Sequence, residues 1–237
     1  MSVYNIAGLK VFMEPKYDTT LRQSEKYLAP ECSKDDADII IDYPVMQIEW
    51  WRERAPHFNE DSCEYMSLGA CFYHDLLDYD GIMLHSSAVV YENRAYLFSA
   101  KSGTGKSTHT SLWLKHFGED KAYILNDDKP AIRRIDGRYF ACGTPFSGKV
   151  DLSRNELVPL QAICVIKRDS KNSIRRLEPG EALYPIMNQT IRPAVAGRMN
   201  RVLDILDDLT GQIPVYELKC NISEEAVEIA YERMRNI

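Results

Sequence analysis

Residues 100–107, Ala-Lys-Ser-Gly-Thr-Gly-Lys-Ser, set two glycines, a lysine and a serine at a spacing suited to holding a polyphosphate. Successive backbone N–H groups can converge on one anion only where side chains stay clear, and Gly103 and Gly105 provide that freedom. Ser102, Thr104 and Thr108 are further cofactor-binding candidates in the same stretch. Lys106 can reach the outer phosphate oxygens, and the Ser107 hydroxyl can hold Mg²⁺. Ala100 stands where this pattern has its first glycine, and a methyl group is the smallest departure. An apolar, β-prone run precedes the loop and a helical pattern follows it, so the unpaired N–H groups and positive dipole end of that helix face the same anion. The chemistry expected is the binding of ATP with Mg²⁺ and the transfer of a phosphoryl group.

Downstream, Asn126-Asp127-Asp128 sit where a short strand ends. Adjacent carboxylates on a strand point to opposite faces, so one can meet Mg²⁺ while its neighbour meets an acceptor hydroxyl. The residues themselves leave open which aspartate does which. In residues 143–149 a turn-prone Gly-Thr-Pro leads to Ser147-Gly148-Lys149, and Lys149 on a glycine-flexible loop can stabilise charge as cationic clamps do. Ser147, Lys149 and, more weakly, Arg192 are candidates for substrate or phosphate contacts. His57, His74, His109 and His116 have no partner spacing that argues for chemistry, and His109 reads as a solvated position in the first turn of the loop helix. Arg175-Arg176 and Asp207-Asp208 read as solvated faces. Trp50-Trp51 reads as core or subunit contact, since neighbours on a strand face opposite ways.

The elements that must position these groups follow from pattern. Residues 84–91 and 94–99 are apolar runs joined only by Glu92-Asn93, the spacing of a tight antiparallel hairpin, and the second run enters the loop directly. Residues 106–117 predict a helix, 123–125 a strand, and Asp136-Gly137 a second hairpin turn between AIRRI and RYFAC. A strand at 162–166 follows. Met199, Val202, Leu203, Leu206 and Leu209 share one helical face with Gly211 as its stop, then come a strand at 215–218 and a helix capped by Ser223 or Asn221. Upstream, residues 3–13 and 38–50 predict strands, 19–27 a short helix, and 66–79 a helix closing at Asp80-Gly81. The division expected is a strand-rich N-terminal subdomain over 1–62 and a loop-bearing domain over 63–237.

The chain has 237 residues, 45% hydrophobic and 27% charged, enough to bury a core without staples. Its formal charge is −6 and no Lys/Arg block appears, which argues against nucleic acid as a partner. No apolar run approaches a membrane span and no export signal precedes the first elements, so a cytoplasmic location away from membranes is expected. The six cysteines show neither zinc spacing nor a disulfide framework and read as buried free thiols.

Taken together, 84–89 (LHSSAV), 97–108 (LFSAKSGTGKST) and 126–128 (NDD), in that order, resemble the core of the HPr kinase/phosphorylase and ATP-dependent phosphoenolpyruvate carboxykinase superfamily, over about residues 82–150. The resemblance implies an α/β (α+β) fold with a mixed, largely antiparallel sheet around the loop, in agreement with the hairpin. It implies ATP, Mg²⁺, His85 near the transferred phosphate, Asp127 on the metal and Asp128 as the base, with Lys106 beside them. The long glycine-rich signature of true HPr kinases is absent, which argues against HPr as the acceptor, and a carboxykinase needs a much longer chain. What remains is similar to small kinases that phosphorylate a hydroxyl, serine above all, on an amino acid, a peptide or a small protein. Members of the group often assemble, which leaves a homo-oligomer open. The competing expectations are a non-catalytic ATP-binding regulatory module and, further off, a carboxykinase-like lyase.

Overall fold

The computed structural model describes residues 2–41, 50–51 and 53–236. Where one strand is expected over 3–13, two are found: β1 (Ser2–Ile6) and β2 (Leu9–Met13) pair antiparallel about Ala7-Gly8, which turns with φ of 53° and 74°. That small-residue turn breaks the run. α1 (Asp18–Ser24) and a 3₁₀ turn at Glu25–Tyr27 match the short helix expected there. β3 (Ile39–Ile40) runs parallel to β2, and the rest of the strand expected over 38–50 falls on residues 42–49, outside those described. Trp50 and Trp51 are helical, contrary to the strand reading.

α2 (Glu60–Asp75) starts well before the expected residue 66 because the Asn59 side chain caps it, accepting from Ser62 N at 2.9 Å. It continues as a 3₁₀ turn at Leu76–Tyr79 and stops at Asp80, in the left-handed region with φ 54°. α2 thus crosses position 62. Its buried Leu68 and Phe72 pack with Ile6, Val11 and Met13 of the N-terminal sheet and with Phe146, making a core that joins the first third of the chain to the rest.

The larger sheet has nine strands: β4 (Gly81–Met83), β5 (Ser86–Tyr91), β6 (Arg94–Ser99), β7 (Ala122–Asp128), β8 (Ala131–Ile135), β9 (Arg138–Cys142), β10 (Leu157–Arg168), β11 (Ser173–Leu177) and β12 (Val215–Cys220). The order is β4-β8-β9-β10-β6-β5-β7, with β12 also beside β10 and β11 beyond it. β10 pairs parallel with β6 and β12, and the other pairings are antiparallel, so the sheet is mixed and largely antiparallel. Both predicted hairpins are present: Glu92-Asn93 and Asp136-Gly137 turn entirely at positive φ, the twist-compatible choice for two-residue connections.

α3 (Lys106–Phe117) follows the loop and lays Trp113, wholly buried, against Tyr96, Phe98 and Tyr231. α4 (Pro179–Met187), which sequence patterning had not revealed, opens with Pro179 behind a Glu178/Glu181 capping box. α5 (Ala196–Gln212) runs through Gly211 instead of stopping there, and turns Val202, Ile205, Leu206 and Leu209 inward while Leu203 is 37% exposed. α6 (Glu224–Met234) is capped by Ser223, whose hydroxyl accepts from Ala226 N.

Candidate functional site

The β5–β6 hairpin decides what meets what. β6 ends at Ser99, where the glycine-containing loop begins, and Ser99 is paired with Ser86 at the start of β5. On the other side of β5, Ser86 is paired with Asp128 at the end of β7. One sheet end therefore gathers the loop, His85 and the Asp127-Asp128 pair. The aspartates close β7 itself instead of following it.

The loop arrives in a shape that depends on glycine. Gly103 and Gly105 have φ of 76° and 115°, and Gly105 occupies the position before α3 with no side-chain cap on the helix amides. Ser107 and Thr108 lie in the first turn and are exposed, as are Ser102 and Gly103, while Thr104 and Gly105 are half-buried. The Arg168 guanidinium ties the loop from behind, donating to Thr104 O at 2.9 Å and to Gly103 O.

Lys106 turns back over the loop. Its ammonium donates to Ala100 O at 3.3 Å and to His85 Nε2 at 3.1 Å, and burial lowers its pKa against the opposing pull of Asp128 and Asp127. His85 Nε2 lies 3.3 Å from Asp128 Oδ1, and its Nδ1 lies 2.9 Å from Gln189 Oε1. With Nδ1–H donating to Gln189, the neutral ring receives Lys106 at Nε2; protonated, it donates Nε2–H to Asp128 instead. The His85 backbone is pinned as well, its N–H donating to Gln189 O at 2.7 Å and its carbonyl accepting from the Ser99 hydroxyl at 2.9 Å.

Asp128 is 24% exposed. Burial acts to raise its pKa, but the His85 hydrogen bond and the Lys129 ammonium on Oδ2 outweigh it and hold the carboxyl at about 2. Asn126 sets this turn: wholly buried, its Oδ1 accepts from Asp128 N at 3.2 Å and Lys129 N at 2.9 Å, and its Nδ2 donates to Thr144 O at 2.9 Å. Tyr73 and Thr144 both donate to Lys129 O. Gly148, at φ 75°, brings the 143–149 loop so close that a Cβ there would sit 3.0 Å from Asp128 Cβ.

The other sequence candidates divide. Lys149 lines a cavity of about 400 Å³ that also contains Asp128, Lys129 and Gly148. Ser147 is wholly buried, its hydroxyl donating to Gln23 Oε1 at 3.4 Å and Asp151 Oδ1 at 3.2 Å. Arg192 is exposed and is not drawn into the Lys106–His85–Asp128 group. His109 overturns its solvated reading: it is buried under α3, accepts from Trp113 Nε1 at 3.2 Å, and burial lowers its pKa to about 4. Four cysteines are buried, and Cys32 and Cys71 are half-buried.

On the loop side, two further cavities of about 680 and 510 Å³ flank Arg168. The first reaches Ala100, Lys101 and Gln189, the second Thr108 and His109. Sequence reasoning passed over Lys129, which directly follows the aspartate pair and was legible there. It also missed Gln189 and Arg168, which reach the site from 104 and 64 residues away with no local signal.

No protein-family model matches the chain. No curated protein matches it. Among solved structures the chain is similar to the HPr(Ser) kinase/phosphatase from Coxiella burnetii, with 9% sequence identity, 65% of this chain and 99% of that chain covered, and a TM-score of 0.38. The chemistry of the site rests on its own side chains. Among the described residues no helix is long and apolar enough to cross a membrane, and no group of three or more His, Cys, Asp or Glu is arranged to hold a metal.

Proposed function

We propose that the chain is a Mg-ATP-dependent phosphotransferase that moves the γ-phosphoryl group of ATP to a hydroxyl, serine being the simplest case. The observation that supports this most is the convergence of Lys106 Nζ, at 3.1 Å, and Asp128 Oδ1, at 3.3 Å, on His85 Nε2, at the uncapped start of α3. An uncapped helix start with glycines behind it is an anion site, and Lys106 adds the charge that phosphate oxygens need. Lys106 and the amides of residues 103–108 hold the polyphosphate, while His85 orients the outer phosphate. Asp128 lies where it can accept the proton of an acceptor hydroxyl. As that proton leaves, the acceptor oxygen bonds to Pγ, the Pγ–O bond to the leaving diphosphate breaks, and ADP departs.

A carboxyl held near 2 is a weak base. The loose transition state of phosphoryl transfer asks mainly for alignment and charge, so a weak base in the right place suffices. Asp127 and Ser107 offer a carboxylate and a hydroxyl, the sparse oxygen set that suits Mg²⁺, which keeps waters and phosphate oxygens as its remaining ligands. When bound, the ion would neutralise charge on the polyphosphate. We assign residues 1–62 to the wall facing the acceptor and 63–237 to the catalytic body, with no nucleic acid or membrane as partner and a cytoplasmic site of action.

The test is γ-labelled ATP with free serine, serine peptides and small proteins as acceptors. Asp128→Asn is expected to bind ATP nearly as the parent does and to transfer at least ~10²-fold more slowly. Native transfer by that variant would remove Asp128 as the base.

A further inference from the structure

Asp128 faces a second surface that the nucleotide does not need. The cavity of about 400 Å³ beside it runs between α1, α2 and the 147–149 loop, and includes Tyr65, Met66 and Lys129. These three residues also line a neighbouring cavity of about 230 Å³, formed with Met83, Phe146 and Ile191 among others. The two cavities thus adjoin across one shared wall, and Asp128 lines the larger of them.

The smaller cavity is dry in character. Among the described residues Lys129 is the one charged group along it, and that ammonium is engaged by Asp128. The Tyr73 hydroxyl is committed to Lys129 O and Thr144 Oγ1, and the Tyr65 hydroxyl accepts from Gly148 N at 2.9 Å. A polar group placed there would lose water and find little in return, whereas an apolar group gains by burial. Its volume suits a single side chain, well below the roughly 300–1,000 Å³ of whole-ligand pockets.

We infer that this cavity is a specificity site for the acceptor: the molecule whose hydroxyl reaches Asp128 carries an apolar group next to that hydroxyl, and the group seats between Met66, Met83, Phe146 and Ile191. The inference rests on the phosphotransferase reading and deepens it. It favours an apolar residue flanking the accepting serine over free serine, which has nothing to place there. The N-terminal third of the chain then has a task, since α1 and α2 supply the wall that selects the acceptor.

The experiment compares two pentapeptides, Gly-Leu-Ser-Leu-Gly and Gly-Gly-Ser-Gly-Gly, with γ-labelled ATP. The leucine peptide is expected to show at least ~10-fold higher kcat/KM, the discrimination a hydrophobic pocket commonly achieves. Ala70 is an exposed residue lining the small cavity, and A70F, which fills it, is expected to use the two peptides equally. Binding is read separately without nucleotide from the emission of Trp51, which lines the same cavity, in a Trp50→Phe background. The leucine peptide should shift that emission and the glycine peptide should not. Equal use of both peptides by the parent overturns the inference and leaves the phosphotransferase reading standing. If neither peptide is labelled, the Trp51 titration decides the cavity alone: a leucine-selective shift upholds it and no shift overturns it, while the transfer reading is decided by the wider panel of free serine, serine peptides and small proteins.

Discussion

The two sides of Asp128 are built differently. On the loop side the lining is charged and open, with Lys101, Lys167, Arg168, Arg175, Glu181 and Glu217 around one cavity and exposed Ser107 and Thr108 beside the next. On the α1–α2 side the smaller cavity is aromatic and aliphatic, while the larger one carries Arg22, Asp128, Lys129 and Lys149, with Gln23 and Tyr65 hydrogen-bonded to the backbone of Gly148. A polyanion exchanged at every turnover suits the first kind of surface, because it keeps much of its solvation. A selected acceptor suits the second. Asp128, Lys129 and Gly148 form the partition between them.

The largest expected effect breaks the comparison at the loop. Lys106→Ala removes the cation that touches His85 and the loop carbonyl, and transfer is expected to fall ~10³-fold, at the upper end of what one charge-stabilising group supplies. Peptide binding read from Trp51 should be unchanged. If the variant loses peptide binding as well, the two sides are not separate.

Acid unfolding separates the loop helix from the partition, because His109 and Asp128 act in different pH windows. His109 has a folded pKa of about 4 against an ordinary 6.5, so the unfolded chain takes up the proton first. Stability from this group is intact above pH 6.5 and falls as pH drops to about 4, by about 3 kcal/mol in all. Asp128, at about 2 against 3.8, adds stability that is present above 3.8 and lost only as pH falls towards 2. His109→Gln is expected to flatten the upper window and leave the lower one in place, measured by urea titration across pH. A variant curve as steep as the parent's between 6.5 and 4 would show that His109 is not held neutral.

What was legible in the sequence follows the same division. The loop, the Glu92-Asn93 hairpin and the Asn126-Asp127-Asp128 turn are each set by residues within a few positions, where glycine, turn chemistry and hydrophobic period act directly. The hairpin was the most informative, because it gave the strand that enters the loop an antiparallel partner. The acceptor side was opaque. Gln23 holds Gly148 O across 125 residues, and Tyr65 holds Gly148 N across 83, contacts that no local pattern encodes. Ser147 looked like a ligand group by type, and its burial against Gln23 and Asp151 is set by α1, far away in sequence. His109 was misread because the period of α3 alone did not reveal the aromatic layer of Phe98 and Trp113 closing over it.

A smaller effect is expected at Arg168. Its guanidinium donates to the carbonyls of Gly103 and Thr104 and so fixes the backbone of the loop. Arg168→Met keeps much of the stem and removes both bonds. Hydrogen bonds from a charged donor contribute about 1.5–3 kcal/mol, which for a half-lost clamp translates to a KM for ATP raised about tenfold. The value of kcat should move less, because Arg168 shapes the loop without contacting Lys106 or Asp128. A drop in kcat with KM unchanged would place Arg168 in the chemical step instead.

The smallest effect is expected at Gln189, and it separates positioning from reaction most finely. Its side-chain oxygen lies 2.9 Å from His85 Nδ1, which selects the ring form whose Nε2 faces Lys106 and Asp128. Gln189→Leu keeps bulk and removes the acceptor, and a neutral hydrogen bond of this kind contributes about 0.5–1.5 kcal/mol, so kcat should fall no more than about tenfold. The main-chain carbonyl of Gln189 still holds His85 N, so only the side-chain contact is lost. The informative readout is therefore the pair of variants: Gln189→Glu restores an acceptor for His85 Nδ1 and should recover most of the kcat that Gln189→Leu loses. KM for ATP and for the leucine peptide should stay at parental values in both variants. A parental kcat in Gln189→Leu would reduce Gln189 to a structural contact and leave His85 oriented by its backbone alone.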